Sequence, residues 1–173
     1  MKNIILIGFM GTGKTSTGRL LASRLGYSFI DTDYKIEQLA KLTISEMFVQ
    51  YGEGYFRERE AEMIRRVSRY RQAVISTGGG VVLNQENMKY LRNSGVVIAL
   101  QASVNTILER TSRRQSRPLL ENEDRSQAVF GLMESRRALY QKADFCIDTS
   151  DLTPRQVVEK IIDWLKKAGV VRA

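Results

Sequence analysis

Gly8-Phe9-Met10-Gly11-Thr12-Gly13-Lys14-Thr15 is the stretch from which the rest of this chain is best read. It is a full GxxxxGK[ST] pattern, set directly after the apolar run Ile4–Ile7 and directly before the amphipathic stretch Lys14–Leu25, so it joins a strand to a helix. Glycines let the backbone N–H groups of such a loop turn inward on an anion, and the helix that follows adds its positive end. Lys14 then reaches the outer phosphates of a nucleotide, and the Thr15 hydroxyl is a ligand for Mg²⁺. The alternative, a flexible glycine turn into a helix, calls for neither the lysine nor the threonine.

Outward from this loop, short apolar runs alternate with longer amphipathic ones, the signature of βαβ units and a parallel sheet. Strands are expected at 4–7, 28–30, 73–76, 96–100 and 145–147, each short and apolar as a strand buried on both faces should be. Helices are expected at 14–25, 53–70, 85–93, 104–111, 125–140 and 154–167, with start signals at Asn84, Ser103 and Thr153-Pro154. In the last of these, Val157, Val158, Ile161, Ile162 and Leu165 share one stripe, so it is read as a cover for the sheet with no role in function. Residues 113–124 lack apolar periodicity and hold Pro118, which makes them a surface loop long enough to be a lid. A length of 173 residues with no visible repeat suits a single α/β domain spanning 1–173.

Composition narrows the chemistry. The chain has no histidine, which excludes Ser/His/Asp and Cys/His nucleophilic systems and His-ligated metals. Its one cysteine, Cys146, rules out an internal disulfide and a thiolate zinc site. No apolar run is long enough for a signal segment or a membrane span, so a cytoplasmic address and no membrane partner are expected. The net charge of +8 favours anionic partners without choosing among nucleotides, anionic metabolites and nucleic acids.

A phosphate loop alone leaves transfer, hydrolysis and sensing open, so the acceptor side must decide. Asp31 and Asp33 stand two residues apart at the end of the second strand, a spacing that puts both carboxylates on one face of an extended segment. One suits Mg²⁺ and the other an alcohol; the alternative is that Asp33 caps a helix starting at Tyr34 while Asp31 is a solvated strand end. Arg57 and Glu60 lie at helical i, i+3 spacing, where the acid fixes a guanidinium suited to a substrate carboxylate, or the two form an ordinary surface pair. Gly78-Gly79-Gly80 at the end of the third strand allows close approach of a ligand to backbone, or marks a strained turn. Glu134-Ser135-Arg136-Arg137 adds a further candidate anion clamp.

Taken together, the Walker loop, the DTD at 31–33, the GExxFRxxE at 52–60, the GGG at 78–80, the RPLL at 117–120 and the RxxLY ending at Tyr140 resemble the shikimate kinase family of small P-loop kinases over essentially the whole chain. The resemblance implies a nucleoside-monophosphate-kinase-like three-layer α/β sandwich with a five-stranded parallel sheet. It also implies ATP-dependent phosphorylation of the 3-hydroxyl of shikimate, on the route to chorismate and the aromatic amino acids. It places Gly11, Thr12, Gly13, Lys14, Thr15 and Ser16 at the ATP phosphates, Arg110 against adenine, and Thr15 with Asp31 at Mg²⁺. Asp33 is put at the acceptor hydroxyls, Arg57 and Arg136 at the carboxylate, and Gly78, Gly79 and Gly80 along the ring pocket, with a substrate-binding region at about 32–60. Glu60 positions Arg57, and Arg117 arrives with the lid to meet the migrating phosphoryl group. Lys14, Asp33 and Arg117 are thus the catalytic candidates. Arg136 is preferred over its neighbour Arg137 because it lies four residues before Tyr140. The expected partners are shikimate and ATP, with no nucleic acid and a monomeric enzyme. The rival readings are a kinase of gluconate or a nucleoside monophosphate, and a basic module that binds RNA or senses nucleotide.

Overall fold

The computed structural model describes residues 2–112 and 122–171. Arg117 and the 113–121 portion of the expected lid lie outside the described residues.

Five parallel strands form one sheet in the order β2-β3-β1-β4-β5, with β1 at Asn3–Ile7, β2 at Ser28–Asp31, β3 at Ala73–Ser76, β4 at Gly95–Gln101 and β5 at Phe145–Asp148. Each lies within one residue of its expected bounds. Alternation along the strands divides the core. Ile4, Leu6, Val74, Ile98 and Leu100 face one side, where helix α1 (Lys14–Leu25) and helix α7 (Pro154–Lys167) cover them with Leu21, Val157, Val158, Ile161 and Leu165. Ile5, Ile7, Ile75, Val97 and Ala99 face the other, beneath α3 (Ile44–Val67), α4 (Gln85–Ser94), α5 (Val104–Ser112) and α6 (Asn122–Tyr140). The three layers follow directly, because a parallel sheet must be covered on both faces.

After β1 the chain builds β2 and β3 on one side, then crosses to build β4 and β5 on the other. The carboxyl end of β1 is therefore a switch point, the place where a crevice opens in sheets of this kind. The loop at 8–13 leaves β1 at that position.

Three helical segments depart from expectation. Residues Thr32–Ala40 form helix α2, and α3 begins at Ile44 rather than at 53 and ends at Val67 rather than at 70. Gly52, at φ 81°, puts a kink inside α3 that interrupts the apolar periodicity, which is why its first part reads poorly. A start signal is present in Thr43 and Glu46: Glu46 N–H donates to Thr43 Oγ1 and Thr43 N–H donates to the Glu46 carboxylate, a capping box. Helix α6 also begins earlier, at Asn122, so the end of the expected lid is already helical. No helix among the described residues is long and apolar enough to cross a membrane.

Candidate active site

Gly11 (φ 76°) and Gly13 (φ 92°) take left-handed backbone conformations that side-chain-bearing residues rarely adopt, and these bend the 8–13 loop back over the start of α1. Gly13 is the N-cap of α1 and supplies no side-chain cap, so the first N–H groups of the helix stay available to an anion. Lys14 is buried, and its Nζ donates to the carbonyls of Gly8 and Phe9, both at 2.8 Å. Burial lowers its pKa to about 8, opposed by the nearby Asp33 and Asp31 carboxylates. The Ser16 hydroxyl donates to the Gly13 carbonyl at 3.1 Å, and Thr12 Oγ1 donates to the Phe9 carbonyl at 2.8 Å.

The DTD segment does not run extended through both carboxylates. The chain turns at Asp31, which caps α2 by accepting from Tyr34 N–H through Oδ1, while its Oδ2 accepts from Thr15 Oγ1 at 2.8 Å. Asp31, not Asp33, is thus the cap, and it is bonded rather than solvated. Asp33 sits in the first turn of α2, with its pKa raised to about 6 by burial first and by Asp31 and Glu60 next, while Lys14 pulls the other way. The two aspartates are sorted by the helix start: one joins Thr15, the other faces the far side of the crevice.

On that far side Arg57 is clamped twice from its own helix. Its Nη2 donates to Glu53 at 2.9 Å and its Nη1 to Glu60 at 2.9 Å. Glu60 is 1% exposed, so this is no surface pair; burial pushes its carboxyl upward against the opposing pull of Arg57 and Arg136. Asp33 Oδ1 and Glu60 Oε1 are buried without a hydrogen-bond partner among the described residues. The glycine triplet explains how these groups come so close. A Cβ on Gly78 would stand 2.7 Å from Asp33 Oδ1 and 3.0 Å from Glu60 Oε1, and one on Gly80 would stand 2.5 Å from Arg57 Nη1. The close approach at Gly78 and Gly80 is made by the protein's own charged side chains.

Gly79 packs on the phosphate loop, and its carbonyl accepts the Tyr140 hydroxyl at 2.6 Å. Arg136 lies 5.9 Å from the centre of the Phe9 ring and acts electrostatically on both Glu60 and Tyr140, whereas Arg137 pairs with Glu134 at 3.2 Å on an exposed surface. The geometry separates the two arginines, Arg136 beside the Phe9 ring and Arg137 on an exposed surface. Arg110 Nη1 donates to the Gly11 carbonyl at 3.2 Å and its Nη2 to the Thr149 carbonyl at 2.7 Å, so its guanidinium forms part of the wall beside the phosphate loop.

A cleft of about 800 Å³ runs from Gly11–Thr17 past Asp31, Asp33 and Thr77 to Arg110, Thr149 and Leu152. Pro154 and Val157 also line it, so α7 contributes its first turn to the site, contrary to its reading as a cover alone. Thr149 and Leu152 were missed as well. Their signal was position: they follow β5, at the same carboxyl edge of the sheet as the phosphate loop. A hydroxyl bonded to a carboxylate, as in Thr15 and Asp31, is an all-oxygen donor set that fits Mg²⁺ beside a phosphate loop. Among the described residues no three acidic, histidine or cysteine side chains gather as a metal cage, so those two residues and nucleotide phosphates would share the ion.

The family described as shikimate kinase matches residues 10–166. A shikimate kinase of Thermodesulfovibrio yellowstonii is 52% identical over 162 residues, covering 94% of each chain. One of Pelotomaculum thermopropionicum is 44% identical over 171 residues, covering 99% of each. Among solved structures, shikimate kinase from Acinetobacter baumannii in complex with shikimate superposes with a TM-score of 0.90 at 35% identity, covering 99% of this chain and 96% of that one.

Proposed function

The chain belongs to the shikimate kinase family and is an ATP-dependent kinase that phosphorylates shikimate in aromatic amino acid biosynthesis, and from that premise we propose which of its residues carry the transfer. The observation that supports the assignment best is the place of Asp33. Its buried carboxyl feels Lys14 of the phosphate loop on one side and Glu60, the partner of Arg57, on the other. A phosphate site and a carboxylate site thus meet at one proton acceptor.

In this reading the backbone of Gly11, Thr12, Gly13, Lys14, Thr15 and Ser16 holds the phosphates of ATP, with Arg110 at the nucleotide end of the cleft. Lys14 leaves the Gly8 and Phe9 carbonyls to meet the outer phosphates. Thr15 and Asp31 hold Mg²⁺, which when bound neutralises phosphate charge. Arg57 and Arg136 take the carboxylate of shikimate, and Gly78, Gly79 and Gly80 border the ring pocket, Gly78 and Gly80 by letting Asp33, Glu60 and Arg57 come close. Asp33 orients the 3-hydroxyl and accepts its proton late, because phosphoryl transfer is loose and depends on positioning and charge more than on a strong base. Arg117, outside the described residues, is assigned to the migrating group. The proposal includes a monomeric, single-domain enzyme working in the cytoplasm, where ATP is supplied.

The test is ADP release by the purified protein with ATP and Mg²⁺, with and without shikimate. Release that depends on shikimate, and is absent with gluconate or a nucleoside monophosphate, is the expected result. Release with either of those acceptors in place of shikimate overturns the assignment.

A further inference from the structure

The phosphate loop is built of backbone N–H groups, and something must hold its peptide planes so that those groups face inward. Every peptide in the described structure is trans, so a carbonyl tied outward sends the N–H of the next residue the opposite way. Two consecutive loop carbonyls are tied from outside. The Gly11 carbonyl accepts from Arg110 Nη1 at 3.2 Å, and the Thr12 carbonyl accepts from Thr149 Oγ1 at 3.0 Å. The first tie aims the N–H of Thr12 and the second the N–H of Gly13.

Thr149 is 2% exposed and its hydroxyl joins both ties, since Oγ1 also accepts from Arg110 Nη1 at 3.1 Å. That incoming bond occupies a lone pair and turns the single hydroxyl proton towards the carbonyls of Thr12 and Gln101, each 3.0 Å away. The Gln101 carbonyl also receives the Thr149 N–H at 2.8 Å, so the hydroxyl bridges the end of β4 and the phosphate loop. Thr149 is thereby fixed to the end of β4 through its backbone and to the phosphate loop through its side chain.

We infer that Thr149 is a positioning residue for the transfer: its hydroxyl, oriented by Arg110, sets the Thr12–Gly13 peptide so that the loop is shaped for a polyphosphate before one arrives. The inference rests on the reading of 8–15 as the ATP phosphate site. It assigns a role at the phosphates to a residue that follows β5, more than 130 positions away in sequence.

The test uses Thr149→Val, which removes the hydroxyl at nearly constant shape, and Thr149→Ser, which keeps it. Binding of ATP and of inorganic tripolyphosphate, which carries no base, is measured by calorimetry, and KM for each substrate by ADP release. In Thr149→Val both ATP and tripolyphosphate are expected to weaken by the same factor, about tenfold, the scale of one lost buried hydrogen bond. KM for shikimate should stay put, and Thr149→Ser should bind both within about twofold of the wild type. If ATP weakens while tripolyphosphate does not, Thr149 serves the base end and the inference is overturned. If both substrates' KM rise together and serine does not restore them, its role is packing and the inference is equally overturned. Should the valine variant not fold, Thr149→Ala makes the same deletion without an added methyl; failure of both to fold also assigns Thr149 to packing. Wild-type protein that binds neither ATP nor tripolyphosphate defeats the reading of the loop itself, a result distinct from all of these.

Discussion

The proposed phosphate and acid sides of the cleft are made in different ways. The phosphate side comes from the eight consecutive residues 8–15, and its donors are mostly backbone N–H groups at a loop and a helix start. The acid side comes from side chains on separate segments, Asp33 on α2, Arg57 and Glu60 on α3 and Arg136 on α6, brought together over Gly78 and Gly80. A backbone-built site depends on chain conformation, and a side-chain-built site depends on clearance and charge balance. Substitutions should therefore separate the two sides by which substrate they affect.

The largest effect is expected from Lys14→Ala, which removes the buried cation that the phosphate side has among the described residues. Turnover should fall by roughly 10²- to 10³-fold while shikimate binding, followed by calorimetry, holds. A near-normal kcat removes Lys14 from the transfer. Next comes Arg57→Ala, which leaves Glu60 buried without its charged partner. KM for shikimate should rise roughly thirtyfold or more, equivalent to about 2 kcal/mol, with KM for ATP little changed. If both constants rise together, the two sides are not independent.

A sharper version of the same contrast is Gly80→Ala, which adds a single methyl where Arg57 now lies. Arg57 must move aside, so KM for shikimate should rise about tenfold while ATP binding, measured directly, is unchanged. A wild-type KM here breaks the clearance account. Asp33 and Lys14, one from each side, also meet in the pH profile. Asp33 loses its negative charge as pH falls through about 6, and Lys14 loses its positive charge as pH rises through about 8. Because kcat/KM for ATP reads the free enzyme, it should be bell-shaped with limbs near those values, and Asp33→Asn should abolish the acid limb along with most turnover. The smallest effect belongs to Arg137→Ala, expected within about twofold of wild type for both substrates, where Arg136→Ala raises KM for shikimate.

The phosphate side was legible because its chemistry is local: the spacing of Gly8, Gly13, Lys14 and Thr15 is the loop itself. The same holds for the strands, since a short, isoleucine-rich run such as Ile4–Ile7, ended by Gly8, suits a strand buried on both faces. The start of α3 was lost for a local reason too. Gly52 and Gly54 disturb the period, and the capping pair Thr43 and Glu46 is a subtler mark than an apolar stripe. On the acid side the residues were recognisable as a set only through resemblance to a family. What the glycines do there was not legible, because a sequence says that a Cβ is absent without saying what fills its place. The turn of the chain at Asp31 likewise reassigned the two aspartates, one to Thr15 and one to the centre of the crevice.

From the sequence alone came the α/β class, the phosphate loop with its lysine and threonine, and the exclusion of histidine and disulfide chemistry. All of these depend on residue type and short spacing, which survive in a linear string. Tertiary structure decided which of Arg136 and Arg137 faces inward, why Gly78 and Gly80 must lack side chains, and that Thr149 reaches back to the Thr12 carbonyl. Those are distances between atoms far apart along the chain, set only when both faces of the sheet are covered and the carboxyl ends of its strands are brought into one crevice.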